Sequence, residues 1–143
     1  MNNTLIFNNT YLESEESKIS QFSKDWDIKQ IQVFLSDICG IDAQIDQDII
    51  KPYTRDWSNI PGGYADILVR PESNEHCALL FALSNFYKIP ITISAGQTNL
   101  TGSATPEGGI ILSTSQLNTP GPCVDIENQC VVSPIGICLE DMR

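Results

Sequence analysis

Apolar positions along the chain change period several times, and each change marks an expected element. Residues 1–25 are polar, rich in Asn, Ser and Glu, and are expected to form a loosely attached head. From Asp27 onward, Ile28, Ile31, Phe34, Leu35 and Ile38 recur at helical spacing, with Gly40 as the stop. Residues 41–64 are mixed, with turn signals at Lys51-Pro52 and Pro61-Gly62-Gly63. A β-branched and apolar run over 66–71, closed by Pro71, predicts a buried strand. Ser73 can cap a helix over 74–87 that is apolar nearly all round, so deep burial is expected. Strands follow over 89–94 and 109–113. A small hairpin is expected from 124–126 and 129–132, around Glu127-Asn128. Leu139 and Met142 mark the opening of a further helix.

The order strand, helix, strand over 66–94 has the length of a parallel crossover unit, which is right-handed. The expected class is α/β (α+β): a small parallel sheet flanked by helices. The division is a polar head at 1–25 and a domain at 26–143. A first subdomain runs to about 121, and a second begins over 122–143.

Composition narrows the function. At 143 residues, with 41% apolar and 18% charged residues, the chain reads as one soluble domain. A net charge of −10 and the lack of basic clusters argue against nucleic acid as a partner. The acids are concentrated in residues 1–50, nine against three bases, whereas residues 51–121 are near neutral with five against four. The longest apolar run, residues 77–83, is far shorter than the roughly 20 residues of a membrane helix. No basic start with an apolar core marks a secretion signal. The five cysteines have no metal-ligand spacing and suit reduced thiols, so a cytoplasmic location is expected. No metal site is expected, and no nucleophile triad or acid/base pair stands out.

The candidate chemistry lies in one loop. The strand at 89–94 runs into Ser94-Ala95-Gly96-Gln97-Thr98-Asn99, then Gly102-Ser103, with no Lys or Arg between Lys88 and Arg143. Small residues let a backbone approach a ligand closely and allow left-handed turns. Successive N–H groups in such a loop form an anion-binding concavity, and the hydroxyls add neutral donors. The loop follows the carboxyl end of a strand, where open α/β sheets bind ligands. It is neither a P-loop nor a Rossmann fingerprint, since the spacing differs and the lysine is absent. The only histidine, His76, and Cys77 sit in the apolar helix and read as structural.

From Tyr53 to the C-terminus the order of features resembles the FAD-binding domain of the p-cresol methylhydroxylase and vanillyl-alcohol oxidase type. The nearest likeness is to D-2-hydroxyacid dehydrogenases, such as D-lactate dehydrogenases and the glycolate oxidase flavin subunit. The likeness rests on Tyr53-x-x-Asp56, the strand closing on Pro71, the apolar helix and the loop from Pro90 to Pro106. It continues through Gly109-Ile-Ile-Leu-Ser-Thr-Ser-Gln-Leu-Asn118 and Gly136-Ile137. Two positions depart from the family pattern: Ser103 replaces a glycine, and Ser94 stands where many members carry Arg.

The resemblance implies a role as the FAD-binding part of an oxidoreductase. The complete protein would oxidise a D-2-hydroxyacid such as D-lactate or glycolate by hydride transfer to flavin N5, passing electrons to an acceptor. It implies that Ser94, Ala95, Gly96, Gln97, Thr98, Asn99, Gly102 and Ser103 hold the pyrophosphate. Pro71, Gly136 and Ile137 would lie toward the adenine and ribose. A histidine tethers the flavin in some relatives, and Thr98 stands at about that position, so non-covalent FAD is expected. The family's second subdomain and cap are absent, so the chain reads as a fragment, inactive alone and prone to self-association. Catalytic residues are expected beyond Arg143. In the complete protein, peripheral attachment to a membrane is compatible with the resemblance. The alternatives are another oxidoreductase on the same fold and a non-catalytic interaction module.

Overall fold

The computed structural model describes residues 10–58 and 60–142. A four-stranded sheet in the order β1-β2-β4-β3 forms its centre. The strands are β1 (Asp42–Gln44), β2 (Ile67–Arg70), β3 (Ile91–Ser94) and β4 (Ile110–Ser113). β2 and β3 both pair parallel with β4, and β1 adds an antiparallel edge to β2. The three parallel strands fall where the apolar runs place them. β1 is the unexpected strand: Asp42-Ala43-Gln44 carries one apolar residue, Ala43, and its position is set by pairing with β2.

The alternation of side chains divides the core in two. Ile67, Val69, Ile110 and Leu112 point to one face, where Leu79, Leu80 and Leu83 of helix α5 (Asn74–Tyr87) meet them. Leu68 and Ile111 point to the other, against Ile50, Ala65 and Tyr53. Burial on both faces explains why β2 and β4 read as unbroken apolar runs. Ser73 caps α5 by accepting from the His76 N–H, and Lys88 ends it in a left-handed conformation, φ 56°. His76 Nδ1 also accepts from the Glu72 N–H, so the lone histidine braces the helix start.

Helix α5 is less buried than its composition predicts. Phe81 is 50% and Phe86 42% exposed. The sheet covers one stripe of the helix and the chain's beginning covers another, which leaves an outer strip uncovered. That beginning is the larger surprise. Helices α1 (Thr10–Ser14) and α2 (Glu16–Ile19) pack on α5, so residues 10–25 are attached rather than loose. Phe22 meets the rings of Trp26, Phe34, Phe86 and Tyr87, and the Tyr87 hydroxyl donates to the Ser23 carbonyl at 2.8 Å. A few aromatics within a polar segment anchor it, because each ring buries a large apolar area. Residues 1–9 of the expected head lie outside the described residues.

Helix α3 (Ile28–Val33) opens with a reciprocal cap between Asp27 and Gln30. It widens into a π turn over Phe34–Ile38, and Gly40 ends it at φ 68°, as expected. A short helix α4 (Gln47–Ile50) and a 3₁₀ turn (Lys51–Tyr53) lead back to the sheet. Strands β5 (Cys123–Asp125) and β6 (Cys130–Val132) form the expected hairpin. The last segment closes as a single 3₁₀ turn, Leu139–Met142.

One ion pair ties the sheet edge together. Arg70 reaches Asp42 at 2.6 Å and lies over the Tyr53 ring, 5.5 Å from its centroid. Partial burial pushes the Asp42 carboxyl up. Hydrogen bonds from Gln44 and Arg70 outweigh that and hold it below its ordinary value. A carboxyl with a lowered folded-state pKa stabilises above its unfolded value, and that contribution fades as pH falls through the folded one. Stability is therefore expected to drop below about pH 4, by up to ~1 kcal/mol for this partly exposed pair. Denaturant titrations at neutral and acidic pH should show Asp42→Asn flattening that drop. An unchanged acid slope in the variant would assign it to other carboxyls.

Candidate functional site

The connections out of the sheet set the site. β2 leads into α5 on one face. β3 leads into a long loop that runs beside residues 50–64, the segment covering the other face. The carboxyl ends of β2, β4 and β3 therefore lie side by side with their connections diverging, the position where α/β sheets open a ligand crevice. Ser94 and Ser113 are in register at that edge, and both are buried.

After Ser94 the chain bends at Ala95 and Gly96, and Gln97 adopts a left-handed conformation, φ 55°. The left-handed residue is thus Gln97 rather than Gly96. Such a conformation is uncommon for a non-glycine residue and costs of order 1–3 kcal/mol. The Gln97 side chain offsets it by donating to the carbonyls of Arg55, 2.8 Å, and Pro52, 3.2 Å. Gly96 is exposed, and a Cβ built on it meets nothing within 4 Å. Among the described residues, the backbone N–H groups of 95–103 find no acceptor. A turn of this kind, with a left-handed residue following a bend, converges neighbouring N–H groups into a concavity suited to an anion.

Not every predicted donor faces outward. Asn99 Nδ2 donates to Asp56 at 2.5 Å and to Ser103 Oγ at 3.1 Å, and Thr101 donates to Ser103 Oγ at 3.1 Å. The Asn99 amide is thus engaged within the loop. Thr98 is exposed, and Ser94 Oγ is buried without a hydrogen-bond partner among the described residues. Gly102, at φ 77°, sits where a Cβ would strike Ile60 Cδ1, so close packing explains that glycine.

Among the described residues no hydrogen bond joins Pro71 or the Gly136-Ile137 segment to this loop. Pro71 is buried at the end of β2. Just beyond it, Glu72, Ser73, Asn74 and Glu75 form one wall of an open cleft of about 470 Å³ whose other wall is Leu117, Thr119, Pro134 and Ile135. Gly136 donates to the Leu117 carbonyl at 2.9 Å, and a Cβ there would collide with the Thr114 carbonyl. The neighbourhoods of Pro71 and Gly136 thus share one cleft. A larger apolar groove, about 560 Å³ and lined by Trp26, Val33, Phe34 and Ile38 among others, shares no residue with either.

Asp56 lies two residues before Ser58 and some forty before the glycine loop. It is a loop anchor: it accepts from the Ser58 N–H at 2.9 Å, the Ser58 hydroxyl, Asn99 and the Ala104 N–H. The Ser58 hydroxyl bond, above all, holds its carboxyl below the ordinary range. The Tyr53-x-x-Asp56 spacing carried the signal, since Tyr53 meets Arg70 of β2 while Asp56 meets the loop. No group of His, Cys, Asp and Glu suited to a metal occurs among the described residues.

A mainly parallel sheet with a glycine loop of free N–H groups at its carboxyl edge defines a nucleotide-binding α/β domain. Residues 65–143 match the family model of the FAD binding domain, and the chain belongs to that family. It is similar to a D-lactate dehydrogenase of Archaeoglobus fulgidus, 30% identical over 77 residues, which covers 53% of this chain and 17% of that protein. It is also similar to a mitochondrial D-2-hydroxyglutarate dehydrogenase of Danio rerio, 32% identical over 74 residues, or 51% of this chain and 14% of that protein. The site suits the pyrophosphate of FAD on its own terms. The unpartnered Ser94 hydroxyl, the open space over Gly96 and the free N–H groups supply neutral donors without a cation.

Proposed function

We propose that this chain supplies the pyrophosphate-binding part of the FAD site in an oxidoreductase acting on a D-2-hydroxyacid, of the D-lactate or glycolate kind. The observation that carries the reading is the row of N–H groups over 95–103, directly after β3, that find no acceptor among the described residues, inside a chain of the FAD binding domain family. Bound FAD would accept the hydride from the substrate's α-carbon, as flavins do. The chain's own part is to hold and orient the dinucleotide: N–H groups of 95–98, with Ser94 and Thr98, on the phosphates. The cleft beside Pro71 and Gly136 would take the adenine and ribose. Both relatives are named as dehydrogenases of D-2-hydroxyacids, which supports that substrate class.

Purified from its natural source, the complete protein should be yellow. A panel of D-2-hydroxyacids should bleach the flavin absorption, whereas the L-enantiomers should not. A colourless protein that takes up no added FAD would defeat the proposal. The cofactor should be held without a covalent bond, since Thr98 offers no nucleophilic nitrogen. Acid precipitation should release all flavin into the supernatant, and a fluorescent protein band on a denaturing gel would contradict this.

The five free thiols, three of them exposed, support a reducing, cytoplasmic compartment. The uncovered strip of α5, with Phe81 and Phe86, supports contact with a further part of the same protein or with a second copy.

A further inference from the structure

We propose that Asp56 is a positioning residue for FAD: its carboxylate clasps the glycine loop so that the loop's N–H groups are ordered before the dinucleotide arrives. The inference rests on the FAD reading above and extends it to a segment outside the family match, which begins at residue 65.

The clasp has a definite geometry. One carboxylate oxygen is fixed by the N–H and hydroxyl of Ser58. The other takes the Asn99 amide at 2.5 Å, and the Ala104 N–H also points to the carboxylate. Asp56 therefore grips both sides of the turn over 99–104. Around it, Trp57 donates its N–H to the Asn99 carbonyl at 3.1 Å, and the Gln97 side chain reaches Pro52 and Arg55. Residues 52–58 thus form a brace running beside the loop. The loop's own ties are side-chain bonds among Asn99, Thr101 and Ser103, whereas its backbone N–H groups from 95 to 103 have no acceptor among the described residues. A loop left to move would lose its conformational freedom at the moment of binding, which weakens affinity.

Asp56 also brings a negative charge near a site for an anion, and the two effects oppose each other. Repulsion at this partly exposed position is screened by solvent and salt. The hydrogen bonds, by contrast, are charge-assisted and directional. Organisation is therefore expected to outweigh repulsion.

The test is a reciprocal exchange of the two partners in the complete protein: Asp56→Asn, Asn99→Asp, and both together. In either single variant, like groups face each other, two amides or two carboxylates. In the double variant, the amide at 56 again faces a carboxylate at 99. Each single variant is expected to bind FAD about tenfold or more weakly, and the double variant to recover most of that loss. Hydrogen exchange without FAD should rise in residues 97–104 of the single variants and return in the double, while β2 and β4 stay protected. That readout is independent of FAD, so the clasp is judged even if the wild type fails to bind the dinucleotide. That failure would overturn the FAD reading and the positioning role together. Tighter FAD binding by Asp56→Asn would show that the carboxylate merely repels. No recovery in a folded double variant, or unchanged exchange in the singles, would overturn the clasp.

Discussion

Gly96→Val should abolish FAD binding by the complete protein while leaving its fold intact. Nothing lies within 4 Å of a Cβ at position 96, and the residue is not left-handed. The protein can therefore hold a larger side chain there, and stability should move by no more than ~0.5 kcal/mol. On the proposed reading, the same open space is where a phosphate approaches the N–H groups of the loop. A β-branched side chain fills it and keeps the ligand beyond hydrogen-bond distance. Losing several N–H contacts to a charged group is expected to weaken binding by a factor of roughly 100 or more, about 2.7 kcal/mol or above. Flavin fluorescence titration gives the affinity, and a thermal melt of the apoprotein reports the fold. Gly96→Ala should fall between wild type and valine. A valine variant that binds FAD as tightly as wild type would remove the loop from the site.

The strands and the long helix were legible because each is specified by its own residues. Ile67, Leu68 and Val69 are apolar on both faces, and Ser73 and Gly109 mark boundaries that local chemistry requires. Elements that depend on distant partners were not legible. β1 has almost no pattern of its own, and its place comes from pairing with β2 and from the Asp42–Arg70 contact. The attachment of residues 10–25 depends on Phe22 and Trp26 meeting Phe34, Phe86 and Tyr87, a cluster assembled across much of the chain. The same distinction divides the site. The glycine loop could be located from its small residues after an apolar strand. Which of its polar groups face outward could not be, because Asp56 lies more than forty positions from Asn99 and consumes that amide. The positive φ also fell on Gln97, where side-chain bonds to Pro52 and Arg55 offset a conformation that sequence alone assigns to glycine.

The largest loss of stability should come from Gly109→Ala, a position remote from any proposed ligand contact. Gly109 has φ 74°, and a Cβ there would collide with the Pro90 carbonyl and lie 2.8 Å from Pro90 Cγ. Its N–H donates to the Asp66 carboxylate at 2.8 Å, and its carbonyl accepts from Asp66, 2.8 Å, and Ile67, 3.3 Å. The next residue, Ile110, donates to the Pro90 carbonyl at 2.9 Å. This glycine therefore stands where β4 enters between β2 and β3 and is bonded or packed toward both. Left-handed strain on alanine costs about 1–3 kcal/mol. Displacing Pro90 adds about 1–3 kcal/mol, as overpacking does elsewhere. Together they amount to roughly 2–6 kcal/mol, a large share of the 5–15 kcal/mol typical of a domain. Gly121→Ala is the matched control, since nothing lies within 4 Å of its Cβ and its φ is not positive. Denaturant unfolding should place the Gly121 variant within ~0.5 kcal/mol of wild type and the Gly109 variant far below it. Equal midpoints for the two variants would mean that the close approach of Gly109 to Pro90 does not constrain the sheet.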